Sequence, residues 1–182
     1  MNTSRLSWML MAGLLCGSLA LGNSLSRGTT APDAQWSEPR AKPTLSAVLT
    51  LSDQPEEVLR GWAGQTASAP GRSVDSIGRG KPIVAFVYFT GCRADASGLC
   101  NASADFTILR PDGSVYESFS DRDLWKGKPA PPGGTLRLSA EYVGVIIEPD
   151  DPLGRYEVRV SVHDLNDGTT LELKQAFTAT GR

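Results

Sequence analysis

The side chains with the most reactive chemistry in this sequence are three cysteines and a single histidine, His163. Cys92 and Cys100 are separated by seven residues that include Gly98, so the loop between them is flexible enough to close. In an exported chain an even pair of cysteines is normally a disulfide, and we expect one here. It would contribute about 2 to 3 kcal/mol at most for so short a ring. The alternatives are a redox dithiol, which usually has two intervening residues, and a metal pair, which needs further ligands.

Acidic residues gather in two predicted turns and offer oxygens that calcium prefers. One group is Glu148, Asp150 and Asp151, and the other is Asp164, Asn166 and Asp167. Neither group matches an EF-hand, and acidic turn residues are usually only solvated, so we predict no metal site and no cofactor. The sequence also contains no G-x-S-x-G or S-x-x-K motif, and His163 falls on the polar face of its predicted strand. We therefore assign no catalytic residue and predict that the chain is not an enzyme.

The first 22 residues have the pattern of a cleavable signal peptide. One positive charge at Arg5 precedes an apolar run from Leu6 to Leu15, and small residues follow at Ala20 and Gly22. The run is shorter than the roughly 20 apolar residues of a membrane-spanning helix. Cleavage leaves 17 basic and 20 acidic residues, a balance too mild to indicate nucleic acid or an anionic membrane as partner. We expect a periplasmic or secreted protein with no stable membrane insertion after cleavage.

The rest of the chain divides into a linker and one domain. Residues 23–43 are rich in Ser, Pro and charge and lack apolar periodicity, which predicts a flexible linker. Residues 44–182 follow as a single β-rich domain with a first strand at 44–51. Asp53 stands where a helix N-cap belongs, and one short helix is predicted near 54–63. A polar loop over 64–80 precedes the remaining strands.

Strand and turn signals dominate from Lys81 onward. The continuous apolar run at 83–89 predicts a central strand covered on both faces. Pro111-Asp112-Gly113 and Asn166-Asp167-Gly168 each lie between strand-like segments and predict hairpins. The clearest alternation is at 155–163, where Tyr156 and three valines share one face. About seven to eight short strands with frequent turns predict an all-β fold, an antiparallel β-sandwich with one short helix.

Residues 151–158 resemble the tyrosine corner of the immunoglobulin-like (Ig-like) β-sandwich superfamily. In that corner a Tyr entering the penultimate strand donates a hydrogen bond back to the preceding turn. The resemblance covers about residues 81–180 and implies that Tyr156 and Gly154 are structural. Val158 stands two residues after the Tyr, where antibody domains keep a core cysteine. The inter-sheet disulfide is therefore absent, and the likeness is to the broad superfamily.

These observations favour an exported, non-catalytic Ig-like module that binds another protein or an envelope component. The candidate surface combines the cysteine loop 91–101 with a predicted loop at 120–134. In that second loop Trp125 stands among charges that include Arg122 and Lys126, a composition that suits an interface anchor. A Trp buried at the edge of the core is the alternative for Trp125. A second hypothesis is a small extracytoplasmic hydrolase, or an enzyme inhibitor, that uses acidic loop residues.

Overall fold

The computed structural model describes residues 45–63 and 71–181. The predicted signal peptide at 1–22 and the predicted linker at 23–43 lie outside these ranges, so their boundaries stay predictions. Within the described ranges, no helix combines the length and the apolarity that crossing a membrane would require.

The described residues form nine strands and one helix. The elements in chain order are β1 (Ser46–Ser52), α1 (Pro55–Ala63), β2 (Ser76–Gly78), β3 (Pro82–Thr90), β4 (Leu99–Leu109), β5 (Val115–Pro129), β6 (Arg137–Leu138), β7 (Val143–Ile146), β8 (Gly154–Asp164) and β9 (Thr169–Thr180). Two of them, β2 and β6, are only three and two residues long. Strand β2 lies within the segment 64–80 that was predicted as a loop, because a run of three residues is too short to show an alternation of polar and apolar residues.

The strands build the two sheets of a β-sandwich, as predicted. The first sheet centres on β3, which pairs with β1 on one side and with β6 and β7 on the other. The second sheet has the order β2-β9-β8-β4-β5. Every pairing is antiparallel except the short parallel contact of β2 with β9. The strands predicted at 44–51 and 83–89 are therefore neighbours in the first sheet.

The apolar run in β3 is covered on both faces, which confirms the sequence-based prediction. Its alternate residues enter two different cores. The main core between the sheets receives Ile83, Ala85, Val87 and Phe89, whereas Val84, Phe86 and Tyr88 belong to a second core. Helix α1 covers this second core with Val58, Leu59 and Trp62. An amphipathic helix on the outer face therefore explains why β3 has no polar alternation.

Helix α1 begins one residue later than its predicted cap implied. The carbonyl oxygen of Gln54 accepts the first helical hydrogen bond, from the backbone N–H of Val58 at 3.3 Å, so Gln54 and not Asp53 occupies the N-cap position. Pro55 is the first helical residue, where its missing N–H costs nothing. The Ser52 hydroxyl accepts a hydrogen bond from the Gln54 N–H at 3.1 Å and orients the entry to the helix.

Candidate functional site

The three predicted interface residues lie on strand β5, not in a loop. The prediction of a loop over 120–134 was wrong because β5 continues to Pro129. The dense run of charges in this segment predicted a loop. An edge strand can carry such charges because it buries little of its length, and β5 is the edge strand of its sheet. The strand is also irregular: Asp121 has a φ of 57° and Gly127 a φ of 60°. Register shifts at such bulges erase the alternation that identifies a strand.

Trp125 is half-buried at the edge of the main core. Its ring centroid lies 5.7 Å from that of Phe89, and its Nε1 donates to the carbonyl oxygen of Pro129 at 2.9 Å. The cationic groups of Lys128 and Arg137 lie 5.5 and 5.9 Å from the centroid of the Trp125 ring. Trp125 therefore has intramolecular partners for both its indole N–H and its ring face, and it does not stand clear of the domain as an anchor would.

Lys126 holds the bulge of β5 together. Its ammonium group lies 2.6 Å from Asp121 Oδ1 and donates to the Asp121 carbonyl oxygen at 2.9 Å. On the other side of the bulge, the Asp121 N–H donates to Asp105 Oδ1 at 2.7 Å. The hydrogen bond and charge of Lys126 lower the pKa of Asp121 below its ordinary value. These contacts support the left-handed backbone at Asp121, which a non-glycine residue seldom adopts.

Arg122 lies on one wall of a groove of about 410 Å³ between the two sheets. Phe119 and Arg122 of β5 form this wall, and residues 140–144, which include the start of β7, form the other. The Arg122 guanidinium lies 5.7 Å from the Phe119 ring centroid. No carboxylate among the described residues lies within 4.0 Å of it. We call this feature the β5–β7 groove; it contains an arginine without an ion-pair partner in the described part of the chain.

Close contacts bound the groove at both ends. At one end, the Tyr116 hydroxyl oxygen of β5 lies 3.0 Å from the Ile146 carbonyl oxygen of β7, while its proton is donated to Asp151 Oδ2 at 2.7 Å. At the other, the N–H groups of Ala140 and Glu141 donate to the carbonyl oxygens of Leu124 and Asp123 at 3.0 and 2.9 Å. The sequence analysis missed this groove, since its walls come from segments about 20 residues apart that show no shared motif. Of its lining, only Arg122 was singled out.

Tyr156 and Gly154 form the corner that the resemblance implies. The Tyr156 hydroxyl donates to the Pro152 carbonyl oxygen at 2.8 Å, and the side chain is fully buried. Its ring stacks on Phe177 with a centroid distance of 5.4 Å. Gly154 has a φ of 131°, and a Cβ there would lie 3.2 Å from the Pro111 side chain. A side chain at position 154 is therefore disfavoured by both backbone conformation and space.

Cys92 and Cys100 lie at disulfide distance, with their sulfurs 2.00 Å apart, and both are buried. The hairpin that joins β8 and β9 stabilises the loop between the two cysteines by hydrogen bonds. Asp164, 1% exposed, accepts hydrogen bonds from the N–H groups of Arg93 at 2.5 Å and Asn166 at 3.1 Å. The Asn166 amide in turn donates to the carbonyl oxygens of Arg93 and Leu99 at 2.8 and 2.9 Å. Asp164 and Asn166, two residues of an acidic turn that offers oxygens to calcium, thus have a structural role.

The second predicted acidic cluster also forms intramolecular hydrogen bonds. Asp151 Oδ2 accepts from the Tyr116 hydroxyl at 2.7 Å and from the Glu148 N–H at 2.8 Å. Across the described ranges, no three His, Cys, Asp or Glu side chains are grouped as a metal site would require. His163 is half-buried, with Nδ1 3.1 Å from the Thr170 hydroxyl and Nε2 3.3 Å from Asp105 Oδ2.

The Tyr116–Asp151 hydrogen bond makes stability depend on pH at both extremes. Burial and then the bond to Asp151 raise the pKa of Tyr116 to about 12. The same bond is the main cause that lowers the pKa of Asp151 below its ordinary value. Stability from Asp151 is complete above about pH 4 and is lost as pH falls through the folded pKa. Stability from Tyr116 is complete below about pH 10 and is lost as pH rises toward its folded pKa.

Replacing Tyr116 with phenylalanine is therefore expected to flatten both limbs of the pH profile of stability. The free energy of unfolding should fall less steeply below about pH 4 and above about pH 10 than in the unmodified protein. Urea unfolding at a series of pH values measures this. Tyr142→Phe, at an exposed tyrosine, is the matched control. Identical profiles for Tyr116→Phe and the unmodified protein would contradict the assignment.

No protein-family model matches this sequence, and no curated protein is significantly similar to it. Solved structures that resemble it include a family 123 glycoside hydrolase from Clostridium perfringens, with 9% identity and a TM-score of 0.45 over 76% of this chain. An alkylpurine DNA glycosylase from Pseudomonas fluorescens has 14% identity and a TM-score of 0.39 over 77%. This chain spans 27% and 31% of those two proteins. A CARDB domain from Pyrococcus furiosus has 12% identity and a TM-score of 0.37. The match covers 76% of this chain and 97% of the CARDB domain.

The sequence-based prediction that this chain is not an enzyme is wrong by this comparison, because two of the structures that resemble it are enzymes. The absence of familiar nucleophile motifs was its basis, and such motifs cover only some classes of catalysis. At these TM-scores and identities neither activity transfers to this protein.

Proposed function

We propose that this protein is an extracytoplasmic Ig-like module that binds another protein or an envelope component through the β5–β7 groove. The observation that carries the proposal is the groove itself, with Arg122 and Phe119 on one wall and Tyr142 on the other. Arginine and tyrosine are enriched among residues that dominate binding energy at interfaces. Tyr142 is 43% exposed, and Arg122 has no ion-pair partner among the described residues.

The extracytoplasmic location rests on separate observations. The first 22 residues have the pattern of a signal peptide, and Cys92 and Cys100 lie at disulfide distance. Structural disulfides persist mainly in oxidising compartments. A periplasmic or secreted protein fits both, and the proposed partner is a protein or envelope component of that compartment.

Replacing Arg122 with glutamate is expected to lower partner capture by about tenfold, because reversing a charge at an interface weakens a complementary contact. Full-length wild-type and variant proteins would be exported, purified and immobilised, then incubated with envelope fractions of the source organism. Captured proteins would be quantified by mass spectrometry. The matched control is Arg155→Glu, an exposed arginine on the outer face of β8, away from the groove.

The proposal requires a partner that wild type and Arg155→Glu capture equally and Arg122→Glu does not. Thermal unfolding of all three proteins shows whether the variants are folded. Capture of no partner by wild type, or equal capture by Arg122→Glu, would contradict the proposal.

A further inference from the structure

Both walls of the β5–β7 groove are strands with an unpaired edge. Within the described residues, β5 pairs with β4 alone and β7 pairs with β3 alone. An unpaired strand edge presents backbone N–H and C=O groups that a further strand can bind. The two strands belong to different sheets and line the same groove of about 410 Å³. A further strand in this groove could pair with the free edge of either wall.

The backbone N–H and C=O groups of alternate residues in β7 are not paired with β3 and face the groove. Ile146 pairs with Pro82, which has no N–H, and the Ile146 carbonyl oxygen lies 3.0 Å from the Tyr116 hydroxyl across the groove. Gly144 lies two residues earlier on the same strand, so its N–H and C=O point to the same edge. Gly144 is exposed, lines the groove and has no side chain to screen its backbone.

The open stretch has the length of a short peptide. The closures at Tyr116 and at Asp123 leave β5 residues 117–122 between them. The four residues 117–120, which precede the bulge at Asp121, span about 13 Å in extended conformation. Phe119 and Tyr142 offer apolar surface along this length, and Arg122 offers a positive charge. Glu141 also lines the groove, and its carboxylate Oε2 accepts from the Asp123 N–H at 3.0 Å.

We infer that the β5–β7 groove binds an extended peptide segment of the partner by strand addition, and that this segment carries an Asp or Glu side chain opposite Arg122. The inference rests on the proposed function and names the chemistry of the partner. Main-chain hydrogen bonds would give affinity, and the arginine and the two aromatic rings would give specificity. An arginine–carboxylate pair adds a charge-assisted hydrogen bond.

A phage-displayed library of random decapeptides, selected on the full-length exported protein, tests the inference. Enriched peptides should share an acidic residue flanked by apolar or β-branched residues. Their affinity should fall about tenfold for Arg122→Glu and stay unchanged for Arg155→Glu. A proline placed in the centre of an enriched peptide should abolish binding, because it removes a ladder hydrogen bond. Arg122→Gln, a milder change, replaces Arg122→Glu if that variant does not fold.

Failure of this inference is distinguishable from failure of the proposed function. No enrichment, enrichment of peptides without a carboxylate, or equal affinity for Arg122→Glu would overturn strand addition of an acidic peptide. If envelope capture still depends on Arg122 in that case, the proposed function stands with a partner of different chemistry. If capture does not depend on Arg122 either, both are overturned.

Discussion

Replacing Tyr156 with alanine is expected to lower the free energy of unfolding by about 3 to 5 kcal/mol. The side chain is fully buried, stacks on Phe177 and contacts the Tyr116 ring edge-on at 5.8 Å. Alanine would leave a cavity where the second sheet meets the corner, and the Pro152 carbonyl oxygen would lose its donor. Urea unfolding monitored by tryptophan fluorescence measures the change.

Tyr156→Phe separates the hydrogen bond from the ring. This variant keeps the packing and loses only the bond to Pro152, so its expected cost is about 1 kcal/mol. If Tyr156→Phe lowers the free energy of unfolding as much as Tyr156→Ala does, the hydroxyl contributes most of the stability that Tyr156 provides. The claim that ring packing dominates would then be wrong. A cost below about 1 kcal/mol for alanine would contradict the burial of the side chain.

Replacing Asp164 with alanine is expected to cost about 2 to 4 kcal/mol and to loosen the disulfide loop. The buried carboxylate accepts from the N–H groups of Arg93 and Asn166, and alanine would leave these donors without their partner. Asp164→Asn is the matched control, because its one amide oxygen still accepts one of the two bonds. We expect it to lose about half as much stability.

Amide hydrogen exchange at Arg93 reports the loosening directly. Exchange at this position should accelerate in Asp164→Ala while the amide of Phe86, at the centre of β3, stays protected. Unchanged exchange at Arg93, together with an unchanged urea midpoint, would show that Asp164 does not fasten the loop.

Much of the fold could be predicted because its signals are local. The β3 run, the two Gly-containing hairpins and the alternation through Tyr156 each depend on neighbouring residues. Glycine at position 113, with a φ of 83°, supplies the turn that joins β4 and β5. The corner at 151–158 was visible because both partners of its hydrogen bond lie four residues apart.

The candidate site was less predictable because its determinants are distant in sequence. Arg122 was identified because it lies among charged residues close to Trp125, but its position on a strand was not predicted. The continuation of β5 beyond its predicted first residues was missed because the bulge at Asp121 depends on Asp105, 16 residues earlier. The opposite wall at 140–144 comes next to β5 through the hydrogen bonds of Ala140 and Glu141, which no periodicity reports.

The central claim is that partners bind in the β5–β7 groove, and hydrogen exchange of the full-length protein with and without a captured partner tests it most directly. We predict that binding slows exchange at residues 117–122 of β5 and at Gly144, while the amides of β8 and β9 do not change. Protection confined to the outer face of β8 and β9, with no change along β5, would contradict the claim.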